Sequence, residues 1–170
     1  MNEKEIAFSV QMTPIEIFRF TLYHSYHKLS GLIGILLSLT AIVILICCFG
    51  DLNDQDRTVL MIVALWFTIL EPLTLLSRAK SQVKRNKAYQ EPLHYNLDSA
   101  GITVSQNDAE QTIAWDGLMK IIETKTQFLV YSSRIHAFIF PKKSIGEDCA
   151  AVKELLLSYA KDYNIPVKGA

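Results

Sequence analysis

The chain lacks most of what an enzyme or a disulfide-stapled domain needs. Among 170 residues there are three cysteines, seven glycines, five prolines and two tryptophans. Cys47 and Cys48 are adjacent and Cys149 stands far downstream. No CxxC or Cys/His spacing accompanies them, so neither a disulfide framework nor a zinc site is expected. They read as small hydrophobes. Net charge is also missing: 17 Lys and Arg balance 17 Asp and Glu, which leaves no global field to draw the chain to nucleic acid. Nucleophile elbow, HExxH, P-loop and GxGxxG are all absent. Asp116, Glu123 and His136 can be assembled into a site on paper, yet any β domain of this size offers as many polar side chains. No catalytic residue, metal or cofactor is expected. The opening Met-Asn-Glu-Lys-Glu has no net positive n-region, so it does not read as a signal peptide, and no myristoyl or prenyl signal is seen.

Long hydrophobic runs are what the chain has. Leu29–Phe49 is 21 residues without a charge; at about 1.5 Å per helical residue it spans roughly 31 Å, a bilayer's hydrocarbon thickness. Thr58–Ser77 is a second arm of similar length, interrupted by Glu71 and Pro72. The two arms are expected to form a transmembrane helical hairpin over residues 29–77. The loop Gly50–Arg57 carries Asp51, Asp54 and Asp56 against Arg57, whereas Arg78, Lys80, Lys84, Arg85 and Lys87 crowd behind the second arm with no acid among them. Excess Lys and Arg marks the cytoplasmic side, which puts both termini there. The five basic residues form a candidate membrane-surface cluster over the linker 78–90.

Within the first arm Ser30, Gly34 and Ser38 recur at every fourth position, a spacing of small residues that admits a close helix neighbour in lipid. The second arm is the nearest candidate, and a homodimer contact is the sharper alternative. Pro72 removes a backbone bond to the Thr68 carbonyl and should kink its helix near the cytoplasmic end. Glu71 lies about 10 Å inside Arg78 by helical rise, and an acid at that depth needs a partner or water. Folding the hairpin about the middle of its loop sets Glu71 level with Ser38. Glu71 and Pro72 are therefore a candidate intramembrane polar site.

Residues 1–28 read as a strand, Glu5–Met12, followed by a juxtamembrane helix. Thr13-Pro14-Ile15-Glu16 is a capping box with proline at the first helical position, and Ile15, Phe18, Leu22, Tyr26 and Leu29 run on as an apolar stripe. His24 and His27 sit three apart on that helix without a third ligand, so interfacial histidines are expected rather than a metal site.

After Glu91-Pro92 the periodicity changes from 3.6 to two. Leu93–Asp98, Ile102–Gln106, Gln111–Trp115, Leu118–Thr124, Gln127–Ser132 and Ile135–Phe140 predict six short antiparallel strands. Ser144 to Glu147 reads as a second capping box, opening an amphipathic helix with Cys149, Val152, Leu156, Tyr159 and Tyr163 on its apolar side. That helix should close the sheet over the domain 91–170. Trp115 reads as a core residue at a strand end, or with Arg134, Lys142 and Lys143 as a rim for an acidic peptide or headgroup.

Ile113-Ala-Trp115-Asp116-Gly-Leu118, Ile121-Ile-Glu123-Thr, Phe128-Leu-Val-Tyr131 and Ala137-Phe-Ile-Phe-Pro141-Lys142 resemble the YcxB-like family of bacterial membrane proteins. The resemblance implies two transmembrane helices followed by a domain similar to pleckstrin-homology (PH) folds, with no catalytic residues to transfer. The expected class is thus an α+β membrane protein: a helical hairpin plus a PH-like antiparallel β-barrel or sandwich capped by a C-terminal helix. Expected function is a membrane-anchored cytoplasmic binding module in the bacterial inner membrane, multi-pass, with a lipid bilayer and a protein partner and no nucleic acid. The alternatives are anionic-lipid sensing and an oligomeric transport accessory.

Overall fold

The structure is a computed structural model and describes residues 5–169. It divides into two compact units. One joins the chain up to Glu16 with the chain from Val83 onward, and the other is Ile17–Gln82.

The first unit is α+β, with two four-stranded sheets. Strand β1, Ile6–Val10, is followed only after the intervening helices by β2 (Leu93–Leu97), β3 (Ile102–Gln106) and β4 (Ala109–Ile113), and the four lie in that order, all antiparallel. The N-terminal strand therefore joins the C-terminal sheet, pairing Ile6 with Leu97 and Val10 with Leu93. Chemistry at the turns sets the register. Asp98 Oδ1 accepts from the amides of Ala100 and Gly101, and Gly101 sits at φ 150°, where a side chain would run into the backbone of Ile113. Asn107, at φ 53°, makes the two-residue turn between β3 and β4.

The second sheet runs β7 (Ala137–Pro141), β6 (Gln127–Tyr131), β5 (Lys120–Glu123) and β8 (Val167–Gly169). Its first three strands are antiparallel; β8 pairs parallel with β5, Ile121 opposite Val167. Every residue of β6 is buried. All six strands read from the period-two stretches are present, with β1 a seventh, and β8 is an eighth that the sequence pattern missed.

Aromatic rings join the sheets. Phe8 of β1 meets Phe140 of β7 edge-on at 5.2 Å, and Tyr95 of β2 meets the same ring at 4.9 Å. Such edge contacts add about 0.5–1.5 kcal/mol beyond the area they bury. Helix α6 (Cys149–Asp162) buries Val152, Leu155, Leu156 and Ala160, with Tyr159 stacked on Trp115 at 4.3 Å. Two details differ from the sequence reading. Tyr163 is exposed, and Ser144 does not cap α6: it lies inside a separate turn, α5 (Lys142–Ile145), with Gly146 at φ 67° and a 3-10 turn before the helix begins. The N-cap residue Asp148 makes no side-chain cap bond.

The second unit holds most of α1 (Pro14–Tyr26), then α2 (Leu29–Cys47), α3 (Asp54–Leu65) and most of α4 (Glu71–Arg85). The Thr13/Glu16 box forms in half: the Glu16 carboxylate accepts from the Thr13 amide at 2.7 Å and from its hydroxyl at 2.9 Å. Backbone turns at His27 and Lys28 break the stripe that periodicity ran straight into α2. Asn53 caps α3, its Oδ1 accepting from the Asp56 amide at 2.8 Å. Leu29–Cys47 and Asp54–Arg85 are both long and apolar enough to cross a membrane, and only 22% and 11% of their most apolar windows are buried. Leu32, Ile33, Leu36, Val59, Ile62 and Leu73 are among the apolar side chains left exposed.

Candidate functional site

Small residues set how closely the two long helices approach. Gly31, Gly34, Ser38 and Ala41 are the buried positions of α2; Ser30 is exposed, and Gly31 lies against the backbone of Ser25 and Tyr26 at the end of α1. A Cβ on Gly34 would stand 2.5 Å from the Phe67 ring. Ser38 is 3% exposed; its hydroxyl donates to the Ala64 carbonyl at 2.9 Å and lies 2.7 Å from the Thr68 hydroxyl. Its hydrogen-bonding capacity is used across the helix pair.

That pairing moves Glu71 from its expected level. Ser38 faces Ala64 and Thr68, not Glu71, and Glu71 instead shares a cleft with Ser25, Lys28, Ser30 and Gly31 at the opening of α2. The equal-arm folding assumed from sequence failed because α3 begins at Asp54, before the apolar run does, which offsets the two helices. The donor lost at Pro72 falls one residue earlier than the α-helical count to Thr68 expects. The turn immediately before it, Trp66–Leu70, is a π-helix, and the Glu71 amide reaches back to the Trp66 carbonyl. In the same register the missing Pro72 donor leaves Phe67, and the Tyr26 hydroxyl donates to the Phe67 carbonyl at 3.1 Å. Tyr26 supplies what proline removes. On the other side of Glu71, Trp66, Leu70, Thr74 and Arg78 line a second cleft of about 460 Å³.

The basic cluster is exposed throughout. Arg78, Lys80, Lys84 and Arg85 lie on α4, while Lys87 begins a 3-10 turn rather than extending the helix.

The proposed rim of the β domain is not brought together. Trp115 is fully buried, its Nε1 donating to the Asp98 carbonyl at 2.9 Å, which leaves it no face for a ligand. Arg134 is exposed in the turn between β6 and β7, beside Tyr131 and Ala137. Lys142 and Lys143 follow the other end of β7, where Pro141 pairs with Gln127. A strand of five residues separates them, roughly 15 Å at about 3.3 Å per residue. Lys142 is also engaged: its Nζ is 2.7 Å from Glu123, lies over the Phe128 ring, and shares that carboxylate with Lys153 at 2.8 Å. Hydrogen bonds from Lys142 and Lys153 hold the Glu123 carboxyl below the usual carboxylate range. Burial raises the Tyr95 phenol above its ordinary value, with Tyr89 adding to the effect; the ring packs against Phe8, Phe138 and Phe140.

Sequence reasoning missed one polar anchor. Gln127 is 1% exposed and donates through Nε2 to the Glu16 carbonyl at 3.0 Å, tying the start of α1 to β6. A lone glutamine in an aromatic strand carries no pattern that would reveal this. Among the described residues no group of three His, Cys, Asp or Glu is placed to hold a metal ion. His27 stacks on Tyr23 and its Nδ1 lies 2.9 Å from the Tyr23 carbonyl.

No curated protein and no solved structure matches the chain. Residues 97–156, from the end of β2 into α6, match the sequence profile of the family described as YcxB-like protein, the family whose motifs were quoted above. The chain carries a YcxB-like domain over this span.

Proposed function

We propose that this protein is a membrane-anchored cytoplasmic binding module, without catalytic activity, that contacts another membrane or envelope protein. In this reading α2 and the helix Asp54–Arg85 cross a bacterial inner membrane, and the two sheets form a PH-like sandwich beneath it. The observation that carries it is the outward face of the hairpin. A soluble core helix of that composition would be mostly buried, whereas these are mostly bare apolar surface. The β1–β2 pairing adds a topological argument. These strands flank the hairpin in sequence and lie in one sheet, so the two flanks of a membrane-crossing hairpin must emerge on the same side. The basic residues of α4 favour the cytoplasm.

For a protein partner the support is β4. It lies at a sheet edge, and four of its five residues are exposed and the fifth half-exposed, leaving backbone groups for strand addition. Crosslinking of the full-length protein in native membranes should recover one reproducible partner, lost when Thr112→Pro removes an edge donor. A chain that pellets with membranes yet crosslinks to nothing would overturn the module reading. Lipid sensing through Arg78, Lys80, Lys84, Arg85 and Lys87 is favoured by their uniform exposure; it predicts vesicle binding that rises with anionic lipid and falls with salt.

A further inference from the structure

The cleft at the opening of α2 is lined by a lysine and a glutamate that form no ion pair with each other. Ser25, Lys28, Ser30, Gly31, Phe67 and Glu71 line an open cleft of about 270 Å³. Glu71 is half-buried and Lys28 exposed. Among the described residues neither side chain makes an ion pair within 4.0 Å or a side-chain hydrogen bond. Lys28 immediately precedes α2, which has no side-chain cap, so its first amides add positive potential on the lysine's side of the cleft. Glu71 supplies a negative counterpart opposite.

We infer that this cleft binds a zwitterionic phosphoethanolamine group, with Lys28 toward the phosphate and Glu71 toward the ammonium, supplied by an aminophospholipid headgroup. The inference rests on the membrane-anchored reading; Leu29, Leu32 and Leu73, next or nearly next in sequence to its lining residues, are exposed apolar side chains. A lone anion would leave Glu71 uncompensated, and a lone cation would do the same to Lys28. The chemistry of the walls selects a primary amine over a trimethylated one. An ammonium group has three N–H donors for the Glu71 carboxylate and the Ser25 and Ser30 hydroxyls, whereas a quaternary amine has none and is held by aromatic cages. Phe67 alone is aromatic among these six residues.

Native mass spectrometry of the full-length protein, released in mild detergent with added lipids of identical acyl chains, tests this. Phosphatidylethanolamine should be retained roughly ten-fold over phosphatidylcholine and over phosphatidylglycerol, the order of one charge-assisted hydrogen bond. Glu71→Gln, nearly isosteric, should erase the preference over phosphatidylcholine with an unchanged circular dichroism spectrum. Lys28→Gln should weaken all three lipids together. Soluble phosphoethanolamine in micromolar amounts should fail to displace the lipid; displacement would overturn the lipid source and assign a free ligand of the same chemistry. Equal retention of ethanolamine and choline lipids by the wild-type chain, or an undiminished preference in Glu71→Gln, overturns the inference. Sedimentation of the chain with membranes separates the two readings: a chain found in the soluble fraction fails the anchoring proposal itself.

Discussion

Replacing Phe8 with alanine asks whether β1 is an integral strand or an appendage. The ring is 9% exposed, stacks on Tyr95 at 5.6 Å and meets Phe140 of the other sheet edge-on at 5.2 Å. Phe-to-Ala changes in cores cost about 3–5 kcal/mol. An edge strand relaxes more readily than a central one, so we take about 3 kcal/mol. Against a domain stability of roughly 5–15 kcal/mol this is a fifth or more of the whole. For a unit near 100 residues it lowers Tm by about 12–24 °C. Hydrogen exchange on the full-length protein in nanodiscs reads the effect locally. Amides of β2 and β7 exchange through opening of the domain, so their protection should fall by about 100-fold, the equivalent of 3 kcal/mol. Ser9→Ala is the internal control: its hydroxyl faces outward and meets only His94 Nδ1, at 2.7 Å, and protection should stay within three-fold. If Phe8→Ala leaves β2 and β7 as protected as Ser9→Ala does, β1 is not part of the cooperative unit and the pairing argument for a common side falls with it.

Other perturbations test separate contacts. Gly34→Leu forces a side chain into the Phe67 ring and should lower the thermal aggregation midpoint of the solubilised protein, with Gly34→Leu/Phe67→Ala recovering part of the loss; no recovery would place the clash elsewhere. Trp115→Phe removes the Nε1 donor to the Asp98 carbonyl and part of the Tyr159 stack, a loss of about 1–3 kcal/mol by urea titration followed by circular dichroism. Because Glu123 titrates lower in the folded chain than in the unfolded one, its stabilisation is present above pH about 4.3 and fades as pH falls through the folded value. Glu123→Gln should therefore cost stability at pH 7, by no more than about 1 kcal/mol per pair, and the wild-type advantage should shrink as pH falls through the folded value; a difference that stays constant into the acid range would contradict the ion-pair account.

Period-two patterning in short stretches bounded by turn residues was enough to locate the strands from Leu93 to Phe140, although alternate burial is seen in β2 while β6 is buried throughout and β4 is almost wholly exposed. It failed at β8, where Val167-Lys168-Gly169 is three exposed residues held by parallel pairing to Ile121 and by the Pro166 carbonyl accepting from the Ile121 amide at 2.9 Å. Nothing local encodes a partner so far back in the chain. The capping pattern at Ser144 matched by composition alone, and Gly146 in a left-handed conformation divides the segment before the helix starts. Hairpin offset was illegible for a related reason. Two apolar arms slide past one another at little cost in hydrophobicity, and the register comes from the fit of Gly34 to Phe67 and of Ser38 to Ala64 and Thr68. The opening of α2 as a meeting place of Lys28 and Glu71 followed only once that register was known.

Discontinuity of the β domain has a consequence for biosynthesis. Val10 pairs with Leu93, so at roughly 5–20 residues per second β1 waits about 4–17 s for its partner to be made. Through that interval Phe8 and Val10 are apolar side chains on an unpaired strand, a template for misassembly with any other open sheet edge. The helical hairpin between them changes the odds. Once it closes, the loop between β1 and β2 is effectively shortened, and part of the entropy of bringing the strands together has already been met by helix pairing. The hairpin thus doubles as an assembly clasp, and defects in its closure should surface first as aggregation of the sheet.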